Sequence, residues 1–317
     1  MAPNPITILD GGTGRELMRM GAPFRQPEWS ALALMEGPQF VTRVHQAFIE
    51  AGADAITTNS YAIVPFHIGA ERFQQRGLEL ATLAGRLARD AAAAAGRRVQ
   101  VAGSLPPICG SYRAEWFDAA FARPILATLV TGLRPFVDHW QAETLSSIEE
   151  AELVREVIGQ DGKPLWLSFT LRDDAPAAGL APQLRSGQTV AAAVAAAARL
   201  GAQAILFNCS QPEVMGAAVR VAMEENRAFP AKAQLSVGVY ANAFAPFAME
   251  SEANANSELH DIRSDLTPAG YLAWVKDWIS QGARIVGGCC GIGPEHILAI
   301  RNAIAPRLGA TTREQLS

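Results

Sequence analysis

Short apolar runs alternate along this chain with longer stretches whose apolar residues recur three and four positions apart, the periods of strand and amphipathic helix. The first run, Ile6-Thr7-Ile8-Leu9, ends at Asp10-Gly11-Gly12-Thr13-Gly14, a strand followed by a tight loop. A helical stretch after Trp29-Ser30-Ala31 breaks at Gly37-Pro38 and resumes with Val41, Val44, His45 and Phe48 on one face. Ala55-Ile56-Thr57-Thr58 is the second strand, leading to Asn59-Ser60-Tyr61, and Leu80, Leu83, Ala84, Leu87 and Ala91 mark the next helix. Further strands fall at Val99–Ala102, Phe136–Ala142, Leu165–Phe169, Ala204–Phe207, Leu235–Val239 and Arg284–Val286. Helices separate them; one runs over Phe117–Leu133 with Asp118 as a cap, and another starts at Thr267-Pro268. The stretch Met249 to Asp265 is polar and predicts a loop.

Eight strands alternating with eight helices predict a parallel α/β architecture. Over this length they predict a single-domain (β/α)8 TIM barrel spanning residues 1–317. A doubly wound open sheet is the alternative. However, Gly11-Gly12-Thr13-Gly14 is neither the dinucleotide fingerprint nor a P-loop, since no Gly-Lys-Ser/Thr follows.

Composition narrows the function classes. The chain is 49% hydrophobic and 18% charged with a formal net charge of −4. It therefore offers no basic surface for nucleic acid or an anionic membrane. No apolar run reaches transmembrane length, and the N-terminus carries no charged leader pattern. The four cysteines, Cys109, Cys209, Cys289 and Cys290, are too few for a disulfide framework. That points to a reducing cytoplasm, with thiols kept for metal or chemistry.

In a barrel, side chains at the carboxyl ends of the strands converge on one site. Polar residues stand at those ends: Asp10, then Asn59 and Tyr61, Ser104, Glu143, Asn208 with Cys209, Asn242, and finally Cys289 with Cys290. Glycines flank the last pair, in Gly287-Gly288-Cys289-Cys290-Gly291, and let the backbone turn and approach a ligand closely. A pair of small core residues or a vicinal redox switch is the other reading of Cys289 and Cys290. Three thiols without a fourth protein ligand predict an open tetrahedral Zn2+ site at Cys209, Cys289 and Cys290. With one net negative charge, such a centre is a poor Lewis acid toward carbonyls. It can still hold a substrate thiol as thiolate by lowering its pKa from about 8.5, which suits alkyl transfer to sulfur.

The stretches Leu9-Asp10-Gly11-Gly12-Thr13-Gly14, Thr57-Thr58-Asn59-Ser60-Tyr61, Ala142-Glu143-Thr144, Phe207-Asn208-Cys209 and Gly287-Gly288-Cys289-Cys290-Gly291 run through nearly the whole chain. In that order they resemble the zinc-dependent homocysteine S-methyltransferase family. The resemblance implies a barrel that methylates homocysteine to methionine, with zinc on the three cysteines. It implies that Asp10 and Glu143 hold the substrate ammonium, and that backbone amides near Gly11, Gly12 and Thr13 take its carboxylate. Trp29 matches a family tryptophan near the methyl-donor pocket, where an indole face suits an onium cation; packing at a helix start is the plainer role. Tyr61 matches a position near the metal in some relatives. Asn59, Asn208 and Asn242 complete the candidate substrate contacts, although Tyr240-Ala241-Asn242 departs from the usual Tyr-Pro-Asn.

A chain ending at Ser317 without folate or cobalamin modules implies a small free donor. The stretches Trp29-Ser30-Ala31 and Ser168–Asp173 look more like the S-methylmethionine branch than the betaine branch. S-methylmethionine or S-adenosylmethionine is the expected donor. A homo-oligomer is compatible with this reading, and a thiol- or zinc-binding barrel without turnover is the rival one. Cys109, His45 and His296 read as non-ligands, and Glu149-Glu150 as complementing a helix dipole.

Overall fold

The computed structural model describes residues 5–175, 178–245 and 261–304. The part of the expected polar loop before residue 261 and both chain ends lie outside them. Eight parallel strands, β1 (Thr7–Ile8), β2 (Ala55–Thr57), β3 (Gln100–Leu105), β4 (His139–Leu145), β5 (Leu165–Phe169), β6 (Ala204–Asn208), β7 (Ser236–Tyr240) and β8 (Ile285–Val286), pair in chain order, and β8 returns to β1. A parallel bridge from Leu9 to Ala55 closes the ring between β1 and β2. The architecture is the expected (β/α)8 barrel.

Eleven α-helices lie among the described residues, not eight: α1 (Thr13–Arg19), α2 (Ser30–Glu36), α3 (Pro38–Glu50), α4 (Pro65–Ile68), α5 (Ala70–Ala93), α6 (Ala119–Leu133), α7 (Ile148–Ile158), α8 (Val190–Arg199), α9 (Pro212–Asn226), α10 (Pro268–Gln281) and α11 (Pro294–Ile304). Short α1 and α4 follow the first two strands, in loops too brief for a periodic signal. Gly37 and Pro38 divide α2 from α3 as expected. Asp118 caps α6, accepting from the amides of Ala120 and Phe121. Glu150 does more than complement a dipole: with Ser147 it forms a reciprocal capping box at the start of α7.

The fourth strand needs correction. The apolar pair Phe136-Val137 belongs to the turn before it, and β4 begins at His139. Phe136 fills the space that a side chain at Gly85 on α5 would take, so its hydrophobicity serves helix packing. The Asp138 carboxylate accepts from the Val101 amide at 2.7 Å, fixing where pairing with β3 begins. Glu143 consequently lies inside β4 rather than beyond it.

Cationic side chains brace the amino-terminal face of the barrel. Arg97 donates to the carbonyls of Ile49 and Ala53, Arg301 to Gly52, Arg89 to Phe136, and Lys163 to Val137. These carbonyls end helices or lie in the turns into the strands, and cations suit that end of the helix dipole. The opposite face is left to the loops that carry the site.

Candidate metal centre and active site

A cleft at the carboxyl ends of the strands has an open volume, mouth included, of about 930 Å³, the size range of small-molecule sites. Asp10, Gly11, Gly12, Thr13, Trp29, Asn59, Tyr61, Glu143, Cys209, Cys289 and Cys290 all line it. Their convergence follows from the barrel, because they come from β4 and from the loops that follow β1, β2, β6 and β8 at one end of the ring.

The sulfurs of Cys209, Cys289 and Cys290 lie within 4.8 Å of one another. Cys289 donates to the Cys209 Sγ at 3.0 Å, and so does the Tyr112 hydroxyl, also at 3.0 Å. The hydrogen bonds from Cys289 and Cys290 hold the Cys209 thiol well below its ordinary pKa, while sharing with Cys209 pushes Cys289 and Cys290 up. Three soft donors this close fit zinc, whose thiolate bond is about 2.3 Å. Cys109 is elsewhere, accepting from the Asp118 amide at 3.5 Å.

Two buried carboxylates, Asp10 and Glu143, line the same cleft. Asp10 accepts from the Thr57 amide at 2.7 Å and its hydroxyl at 2.9 Å, and burial raises its pKa to about 6. Glu143 accepts from the Ser104 hydroxyl and, at 3.3 Å, from that of Tyr240. Burial, with Asp10 adding to it, raises Glu143 to about 7. Two acids that resist ionisation together form a site for a cation.

Trp29 forms one wall. Phe24 and His67 meet its ring edge-on at 6.4 and 6.2 Å between centroids. The missing side chain of Gly14 gives it room, since a Cβ there would fall 2.0 Å from the indole Nε1. Asn59 donates to the Ser30 carbonyl at 3.1 Å, and Tyr61 shares a 2.6 Å bond with Ser111.

Two expected contacts are not brought to the cleft. The Asn208 carboxamide accepts from the Thr144 amide at 2.9 Å and the Ser168 hydroxyl at 2.7 Å, tying β6 to β4 and β5. Asn242 accepts from the Phe244 amide at 3.3 Å and shapes its own loop. Both side chains are buried in the framework around the site. The Gly12 amide donates to the Ile292 carbonyl at 2.9 Å, so of the three amides expected to take a carboxylate this one is committed elsewhere.

Sequence reasoning missed Tyr112, Gln141, Thr144, Tyr240 and Phe244, which also line the cleft. Gln141 and Tyr240 lie within strands, where nothing local distinguishes an inward polar residue from an ordinary one. Trp29, Tyr112, Thr144 and Cys209 are the non-glycine residues with positive φ among those described, at 49°, 66°, 60° and 54°. All four line the cleft. Backbone strain is concentrated where side chains must be aimed.

Fold and site together define a (β/α)8 barrel whose cleft holds three clustered thiols and a pair of buried acids. The family model described as homocysteine S-methyltransferase matches residues 7–304. This chain belongs to the homocysteine S-methyltransferase family, whose members are methyltransferases. Homocysteine S-methyltransferase 4 of Zea mays is 27% identical over 330 residues, covering 94% of this chain and 89% of its own. Homocysteine S-methyltransferase of Escherichia coli (strain K12) is 28% identical, covering 93% and 94%. The crystal structure of the homocysteine methyltransferase MmuM from Escherichia coli in its metallated form has a TM-score of 0.73 at 27% identity, covering 95% of this chain and 96% of that one.

Proposed function

We propose that this protein is a zinc-dependent enzyme that moves a methyl group from a small onium donor to the sulfur of homocysteine, giving methionine. S-methylmethionine or S-adenosylmethionine is the favoured donor. The observation that carries the reading is the placement of three cysteine sulfurs within 4.8 Å of one another in the same cleft as buried Asp10 and Glu143. Cys209, Cys289 and Cys290 would hold zinc. Once bound, the metal supplies a weakly acidic, electron-rich partner that keeps a substrate thiol ionised near neutral pH.

The chain's own residues do the rest. Asp10 and Glu143 take the homocysteine ammonium, whose charge relieves the penalty of ionising two buried acids side by side. With the amino-acid end fixed there, the thiol end is directed across the cleft toward the cysteines. The indole face of Trp29 offers the donor cation a quadrupole surface worth about 0.5–2 kcal/mol. Fixing both partners makes displacement effectively intramolecular. The new carbon–sulfur bond forms as the donor's methyl bond breaks, and its electron pair leaves with the now neutral donor. No protein base is needed in that step, because the attacking sulfur is already ionised.

Metal content by mass spectrometry and methionine formation, assayed with S-methylmethionine, S-adenosylmethionine and betaine, test the proposal. Wild-type protein should hold one zinc and turn over a sulfonium donor, and Cys290→Ala should lose both. A zinc-free Cys290→Ala variant with full activity would sink it.

A further inference from the structure

Tyr112 and its supports are not explained by substrate binding. The residue follows β3 with φ 66°, and its hydroxyl points at a cysteine sulfur, donating to Cys209 Sγ at 3.0 Å. The Arg185 guanidinium covers its ring, 4.9 Å from the centroid. Arg185 is itself only 5% exposed in its side chain and pairs with Asp173 at 2.8 Å. Asp173 in turn accepts from the Gln211 amide at 2.8 Å, two residues beyond Cys209. A strained backbone, a buried cation and a loop carboxylate thus all serve to hold one phenol against one sulfur.

The chemistry proposed above, on which this inference rests, sets a problem of selectivity. A methyl donor brought to a centre built of cysteine thiolates faces several nucleophilic sulfurs, and methylating a cysteine would destroy the site. A hydrogen bond to a thiolate stabilises the lone pair that must attack, which slows its alkylation. We propose that Tyr112, fixed by Arg185 and Asp173, is a positioning residue that keeps Cys209 a ligand rather than a methyl acceptor.

The test uses zinc-loaded protein and methyl iodide with homocysteine omitted. Attack by a cysteine sulfur forms an S–CH3 bond and releases iodide, and peptide mass spectrometry maps the methylated positions. In wild type, Cys209 should be methylated more slowly than Cys289 and Cys290. Tyr112→Phe should speed Cys209 roughly tenfold, the factor matching loss of about 1.4 kcal/mol of hydrogen-bond stabilisation, and leave the other two little changed. Replacement of Tyr112 by 3-fluorotyrosine keeps the shape, strengthens the donor and should slow Cys209 below wild type, a comparison that stands even if Tyr112→Phe loses the metal. Zinc content is measured throughout. Wild type that binds no zinc overturns the proposed function and this inference with it. Zinc-bound proteins in which neither replacement changes the Cys209 rate overturn this inference alone.

Discussion

Glu143 shows most directly how burial sets behaviour. Its pKa rises from 4.5 to about 7 because desolvation outweighs the hydrogen bond from Ser104. The sign of its effect on folding is opposite to that of a salt-bridged acid. The folded state holds the proton more tightly than the unfolded state, so stability falls as pH rises from 4.5 to 7 and stays lower above. Glu143→Gln should therefore raise the melting temperature at pH 8, corresponding to roughly 1–3 kcal/mol, and change it little at pH 4.5; calorimetry at the two pH values checks this. Ligand binding runs the other way. The proposed grip on an ammonium needs the ionised acids, so it is complete above about 7 and lost as pH falls through 7 and then 6. Methionine has no thiol to confuse the titration. Its affinity by calorimetry should fall about tenfold from pH 8 to pH 6 through Glu143 alone, and a pH-independent affinity would contradict the assignment.

At the level of elements, the site depends on loops packed backbone to backbone. A Cβ on Gly12 would lie 2.6 Å from the Cys289 carbonyl and 3.0 Å from the Cys290 Cα. Neither obstacle is a flexible side chain. Gly12→Ala should therefore push the loop after β1 away from the cysteines and cut zinc affinity at least tenfold in a chelator competition, while β-sheet content by circular dichroism is retained. Elements were unequally legible in the sequence. Strands β5 and β6 stood out because short apolar runs there are bounded by turn residues. The misplacement of β4 arose because Phe136 and Val137 carry the same hydrophobic signal whether they face a sheet or, as here, pack in a turn.

Across the whole molecule, the seam that closes the barrel shares a residue, Asp10, with the site. The seam between β1 and β2 is stitched largely by side chains. Asp54 accepts from the Ile8 amide at 2.9 Å, and its own amide donates to the Ile8 carbonyl at 2.7 Å. Asp10 plays the corresponding part at Thr57. Asp54 pairs with Arg301 but does not line the cleft. Asp54→Ala should cost about 2–3 kcal/mol by leaving the Ile8 amide without its acceptor, seen as a lower urea midpoint. Amide exchange at Ile8 should quicken while zinc content is unchanged.

By itself the sequence determined the alternation of strand and helix, hence the barrel, since hydrophobic period and turn residues are local properties. It also determined which residue types stand at the strand ends, and so the three cysteines and the pair Asp10 and Glu143. Only the tertiary structure decided which of those side chains face the cleft. Asn208 and Asn242 sit at the expected ends yet bond to neighbouring strands and loops, whereas Tyr112, Gln141 and Tyr240 turn inward without any local mark. Position along a strand is written in the chain. The direction of a polar side chain is settled by which hydrogen-bond partners the closed barrel brings within about 3 Å of it.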